Sequence, residues 1–297
     1  MMTSQLTFAF LIASAGQAKQ GVLLARSIRA FGGEFANEPI VTAVPAASPL
    51  TAATSDALDA LQVKQHVFVA PEAIRQFPLA TKVLAAAAIE AVAETAVLAW
   101  MDTDSLVINP PRPLLLPAGS QLGYRPVDHT LIGSRWAQPI GPFWQKIYTD
   151  CQVAVDALSP MTTSVDEVVI RPYFNAGLLV ARPGRGLLQS WRDDFTRLYQ
   201  QPAYAPFYQA DARYAIFMHQ AVLAGTLLRE LPGSAMTLLP HLVNYPLHMH
   251  SKYPSARRVD RINDLMSCRY DTLAEEADWH GRFPIDNPLK QWLQTYG

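Results

Sequence analysis

Apolar and polar positions along the N-terminal third of the chain alternate between two periods. TFAFLIAS, from Thr7, is a short unbroken apolar run, and after it Leu24, Ile28 and Phe31 recur at helical spacing until Gly32 and Gly33 stop the pattern. PIVTAVP from Pro39 reads as a second strand, Leu58 and Leu61 mark a short helix, and Val67, Phe68 and Val69 mark a third strand. From Thr81 on, KVLAAAAIEAVAE is an alanine-rich helix whose small side chains suit close packing onto a sheet. Ala96 to Met101 then forms another apolar run. Strands buried on both faces between crossover helices have this character, so it is predicted to be a central parallel strand.

PPRPLLLP after Asn109 forbids regular structure and is predicted to divide the chain into a β/α half, residues 1–112, and a second half, residues 113–297, within one continuous domain. The second half carries QLGYRPV as a strand, Phe143 to Cys151 as a short helix and YFNAGLLVARP as a strand ended by Pro183 and Gly184. Leu188, Trp191, Phe195 and Leu198 give helical spacing, Tyr214 to Leu228 reads as one long helix, and a C-terminal helical extension follows. The fold class is α/β, with a Rossmann-like, mostly parallel central sheet flanked by helices.

Composition narrows the function. Of 297 residues, 50% are hydrophobic and 16% charged, so the chain buries a large core. A formal net charge of -1 provides no global field for nucleic acid or an anionic membrane, and an anion site must be local. Cys151 and Cys268 lie far apart and suggest neither a disulfide framework nor a cysteine-based zinc site. LTFAFLIASAG lacks a basic segment before it and runs into an amphipathic pattern, so it reads as a buried strand rather than a signal peptide. With no apolar run near the roughly 20 residues that cross a bilayer, a cytoplasmic protein is expected.

Chemistry first appears in MDTDSLVINP. Asp102 and Asp104 directly follow the buried run, and ligands of open α/β sheets bind beyond the carboxyl ends of strands. In extended chain the two carboxylates point the same way and can address one hard cation, Mn²⁺ or Mg²⁺, with the phosphate oxygens it holds. D-x-D also arises by chance in solvated turns. Here, however, two acids emerging from a buried strand repel each other and lose hydration unless a cation or hydrogen bonds compensate.

Three segments resemble glycosyltransferases of the GT-A fold, the nucleotide-diphospho-sugar transferases, and most of all glycosyltransferase family eight with its glycogenin-like relatives. They are LAWMDTDSLVINP, YFNAGLLVARPGRGLLQSW and, more weakly, NYPLHMHSKYP, in the family's order and spanning the chain to about Pro254. The resemblance implies a metal-dependent sugar transfer from a nucleotide diphosphate donor, a UDP-sugar, to a hydroxyl of a glycan, lipid or protein, with retention of configuration. By position it makes Asp102 and Asp104 catalytic and metal-binding, with His250 as the third ligand. It places Lys82, Asn175, Gly177, Gln220 and Lys252 at the substrate, Lys252 on the diphosphate. The chain departs from the family in having His219 before Gln220, within a helix-like stretch, and in lacking a glycine between His250 and Lys252.

H-M-H, read as extended chain, puts His248 and His250 on one face with Met249 turned inward. Lys252, Arg257, Arg258 and Arg261 are the densest basic cluster, and the three arginines read as a solvated face. Asp193 and Asp194 are expected to face solvent, and Asp211 to cap a helix rather than act as a base. No G-x-G-x-x-G, G-x-x-x-x-G-K-[ST] or G-x-S-x-G occurs, which removes the main support for a dinucleotide oxidoreductase, a P-loop NTPase or an α/β-hydrolase. Two rivals stay open: a nucleotide-sugar-binding protein without activity, and a phosphatase-like hydrolase with Asp102 as nucleophile. The latter's D-x-D usually follows a first strand rather than a fourth.

Overall fold

A computed structural model describes residues 4–275 and 279–297 of the chain. The N-terminal part alternates strands with helical connections: β1 (Leu6–Leu11), α1 (Ala15–Phe31), β2 (Ile40–Pro45), α2 (Ala52–Ala60), β3 (Val63–Phe68), α3 (Glu72–Arg75), α4 (Ala80–Glu90) and β4 (Val97–Met101). β5 (Ser105–Val107), β6 (Leu122–Pro126), α5 (Pro142–Asp150), β7 (Met161–Thr162) and β8 (Val169–Ile170) lead to the long β9 (Phe174–Ala181). Then come α6 (Leu187–Leu198), α7 (Ala205–Ala210), α8 (Ala212–Ile216), α9 (Met218–Glu230), β10 (Met236–Leu238), β11 (Tyr245–Pro246), β12 (Ser267–Arg269) and α10 (Leu289–Tyr296). The third strand starts earlier than its apolar residues suggest, because Lys64 to His66 continue the pairing with β2 on a half-exposed edge.

One seven-stranded sheet, in the order β10-β6-β9-β4-β1-β2-β3, draws strands from both sides of residue 112. The proline-rich segment before β6 contains a short 3-10 turn, Arg112–Leu114, and buries Leu114 and Leu116 in the core. All strands run one way except β9, which is antiparallel to both β4 and β6. The predicted central strand β4 is therefore central, but parallel to its β1 neighbour alone. The reversal places the start of β9 beside the end of β4, and Asp102 N–H donates to Gly177 O at 2.8 Å. A parallel neighbour would begin at the opposite edge of the sheet.

The alanine-rich α4 buries Ala80, Val83, Ala85, Ala86, Ala87 and Ile89 and packs on both α6 and the sheet. Glu90 at its end accepts hydrogen bonds from Leu188 N and Gln189 N at 3.1 and 2.8 Å, capping the first turn of α6 from outside that helix. Asp194 is buried rather than solvated. It shares the helix stripe of Trp191, Phe195 and Leu198, and it is held by Thr226 Oγ1 at 2.9 Å and by Arg197 and Arg229, each at 2.7 Å. The helix expected over Tyr214 to Leu228 breaks at Phe217 into α8 and α9, which puts His219 and Gln220 in the first turn of α9.

A three-stranded sheet, β11-β12-β5, ties the C-terminal segment to the chain just after Asp104. Ser27 Oγ on α1 accepts from Val107 N at 3.0 Å and so anchors β5 from the other side.

Candidate active site

Asp102, Thr103 and Asp104 form the turn between β4 and β5. A cavity of about 390 Å³ opens there, lined by Asp102, Asp104, Lys82, Asn175, Gly177 and Gln220. An adjoining cavity of about 370 Å³ shares Lys82, Asp102 and Asp104 and extends over the ends of β1 and β4 to Ala13, Gln17 and Arg75. A larger cavity of about 680 Å³ lies between the starts of α1 and α2 and contains no acid or histidine.

Each predicted substrate residue in the first cavity has a defined partner. Lys82 Nζ on α4 sits 2.6 Å from Asp102 Oδ1. Asn175 Oδ1 accepts from Gly177 N at 2.8 Å. Gln220 Oε1 accepts from Ala176 N at 3.2 Å, and its Nε2 donates to Tyr173 Oη at 3.2 Å. Gly177 is required for space: a Cβ there would stand 2.9 Å from Asp102 Oδ2 and 2.9 Å from Asn175 Oδ1.

Electrostatics mark the acidic pair. Burial first, and the neighbouring charge of Asp102 second, raise the Asp104 carboxyl to about 7, although Arg269 and Lys82 pull the other way. Two neighbouring hard carboxylates, one of them largely desolvated, fit a divalent cation of the Mn²⁺ or Mg²⁺ kind. Among the described residues no three His, Cys, Asp or Glu side chains already converge as a metal cage.

The two remaining predicted residues lie elsewhere. Leu247–Lys252 is a 3-10 helix, not an extended segment, so residues two apart point in different directions. His248 therefore lines the cavity, with Nε2 3.6 Å from Asp271 Oδ2 and a buried Nδ1 that has no partner. His250 instead pairs Nδ1 with Tyr245 Oη at 3.0 Å and sets its ring edge-on against Phe283. Lys252 is exposed on the same turn and lines neither cavity. Arg257 pairs with Glu167 at 3.0 Å, Arg258 Nη2 donates to Ser251 O and Tyr253 O, and Arg261 pairs with Asp286. Asp211 caps α8 by accepting from Arg213 N at 2.9 Å.

Asp128, His129, Arg269 and Asp271, which the sequence did not single out for the site, also line the cavity. β12 pairs antiparallel with β5, placing Arg269 opposite Ser105, and Tyr270 N–H donates to Asp104 O at 2.9 Å. Arg269 and Asp271 thus flank the acidic turn. The signal for them is a long-range strand pairing with no local motif. His219 also lines the cavity. Burial, with the charge of Lys82 second, drives its imidazole down to about 3, so the ring is neutral. With Nδ1 bonded to Ile216 O at 3.0 Å, Nε2 is left as an acceptor.

The family model of the Rhodobacterales glycosyltransferase domain matches residues 9–224, from β1 into α9, and includes every cavity residue from Lys82 to Gln220. No curated protein matches the sequence. Among solved structures, an active-site Gln-to-Glu variant of LgtC superposes with a TM-score of 0.53 at 18% identity, over 89% of this chain and 87% of that one. The galactosyltransferase LgtC in complex with donor and acceptor sugar analogues gives 0.52 at 18% identity, over 89% and 87%. These likenesses establish the fold, with its largely parallel sheet, as that of GT-A glycosyltransferases. The chain belongs to the Rhodobacterales glycosyltransferase domain family and is a glycosyltransferase.

Proposed function

We propose that this glycosyltransferase takes its sugar from a UDP-sugar and passes it to an acceptor hydroxyl, using Mn²⁺ or Mg²⁺ held by Asp102 and Asp104. The observation that carries the reading is the acidic pair itself, ending a buried central strand with Asp104 raised to about 7 beside Asp102. A divalent ion bound there would neutralise the pair and supply Lewis-acid stabilisation to the leaving diphosphate. The cavity over β1 and β4 suits the nucleotide, because ligands of such sheets lie beyond strand ends. The cavity with Asn175, His219 and Gln220 suits the sugar and acceptor, since it offers neutral hydrogen-bonding groups around Gly177.

Calorimetric titration of the protein with UDP, with and without Mn²⁺, tests donor and metal together. Metal-dependent binding is expected, and metal-independent or absent binding overturns the assignment. Slow hydrolysis of a UDP-sugar without acceptor separates this enzyme from a protein that binds nucleotide sugars and does not react.

A further inference from the structure

We propose that Arg269 is a catalytic residue that grips the sugar-bearing phosphate of the donor and stabilises it as it departs. This rests on the nucleotide-diphosphate reading above.

The position of Arg269 is fixed by backbone pairing. It stands opposite Ser105 in the β12–β5 ladder, one residue beyond Asp104, and the Tyr270–Asp104 hydrogen bond closes that end. Its side chain is 12% exposed, and Nη2 donates to Asp128 Oδ2 at 2.5 Å. The planar fork then directs Nη1 to within 3.4 Å of the point where a Cβ on Gly177 would lie, while Asp102 Oδ2 is 2.9 Å from that point. The guanidinium thus presents one nitrogen to a carboxylate and another to the space that Asp102 also faces. A fork of this kind suits phosphate, which accepts two parallel hydrogen bonds.

Arg269 is itself paired with Asp128 through Nη2 but keeps Nη1 on the side of Gly177, whereas the other cations near the site are less well placed. Lys82 is paired with Asp102, Lys252 is exposed outside the cavity, and Arg75 is exposed on the far cavity's rim. In the transfer, the bond between the anomeric carbon and the phosphate oxygen breaks with its electron pair staying on that oxygen. The acceptor oxygen bonds to the carbon, and its proton passes to the departing phosphate. Negative charge grows on one phosphate group, and a buried, pre-positioned donor there acts without reorganising.

A purely structural Arg269 would only tether Asp128 to β12. The two roles separate when diphosphate and monophosphate binding are compared, in the full chain with Mn²⁺, for Arg269→Gln, Arg269→Lys and the double variant Asp128→Asn/Arg269→Gln. The double variant removes both charges and guards against misfolding caused by a lone buried carboxylate. Titration calorimetry with UDP and UMP is expected to give at least a tenfold loss for UDP and less than twofold for UMP in Arg269→Gln. The loss should persist in the double variant, whose thermal midpoint recovers, and be partly restored in Arg269→Lys. Equal weakening of UDP and UMP, or recovery of UDP affinity in the double variant, overturns the proposal. If the wild-type protein binds none of UDP, GDP and ADP with Mn²⁺, the donor reading fails and takes this one with it. Wild-type binding with unchanged selectivity in the variants overturns this proposal alone.

Discussion

Lys82 Nζ lies 2.6 Å from Asp102 Oδ1, so the helix preceding the central strand supplies the counter-charge to the acid that ends it. The pair is partly exposed, with Asp102 at 26%, so solvent screens its contribution to stability. Its weight falls on function: without Lys82, Asp102 and Asp104 face each other with less compensation. Lys82→Met keeps the aliphatic stem and removes the charge. Acceptor-free UDP-sugar hydrolysis should fall at least tenfold, about 1.4 kcal/mol in barrier, with the thermal midpoint within a few degrees of wild type. Unchanged hydrolysis would remove Lys82 from the site.

Asp104 makes the acidic pair testable through pH. Its folded value, raised to about 7, lies above the unfolded value near 3.8. Such a group contributes stability that is complete below the unfolded value and lost as pH rises through about 7. Above that pH the ionised pair strains the ligand-free fold. Asp104→Asn should therefore match or exceed the wild-type thermal midpoint at pH 8 without ligand, while metal-dependent UDP binding disappears. A lower midpoint at pH 8 or intact binding would contradict the assignment.

The strands that carry Asp102, Asn175 and Gly177 were legible because each is a mostly apolar run. The reversed direction of β9 was not, since pairing direction is a long-range property, yet it is what brings Asn175 to Asp102. His248 and His250 were placed on one face wrongly because a 3-10 turn and an extended segment distribute alternate residues differently, and no residue in LHMHSK forces either. Arg269 sits far along the chain from Ser105, and only the β5–β12 pairing joins them. Asp194 looked solvated beside Asp193, but its register on the Trp191 stripe buries it against α9.

Glu90 links α4 to the start of α6, well away from the acidic turn, and gives a stability test independent of the chemistry. Burial raises its carboxyl above the ordinary value of 4.5, with the backbone N–H groups of α6 acting in the opposite direction. Because the folded value is the higher one, stability from this group is present below 4.5 and lost as pH rises through the raised value. Glu90→Gln, which cannot ionise, should gain on wild type in thermal midpoint as pH increases from 4.5. Glu90→Ala leaves a buried and a partly buried N–H group without this acceptor and should cost about 1–3 kcal/mol in chemical denaturation. A pH-independent difference between Glu90→Gln and wild type would show that Glu90 ionises alike in both states.

Gly177 separates space from conformation. Its φ is not positive, so alanine is allowed by the backbone, but the new Cβ would meet Asp102 Oδ2 and Asn175 Oδ1 at 2.9 Å. Real contacts of that kind are relieved by moving a neighbour, and both neighbours here are buried or paired: Asp102 with Lys82, Asn175 with Gly177 N. Overpacking of this sort costs about 1–3 kcal/mol. The displaced atoms are those that would meet cation and sugar, so Gly177→Ala should lose acceptor-free UDP-sugar hydrolysis by at least a hundredfold while remaining folded by circular dichroism. Metal-dependent UDP binding should weaken less than hydrolysis, because UDP lacks the sugar that must pass closest to this position. A variant that hydrolyses at the wild-type rate would mean that the sugar does not approach β9.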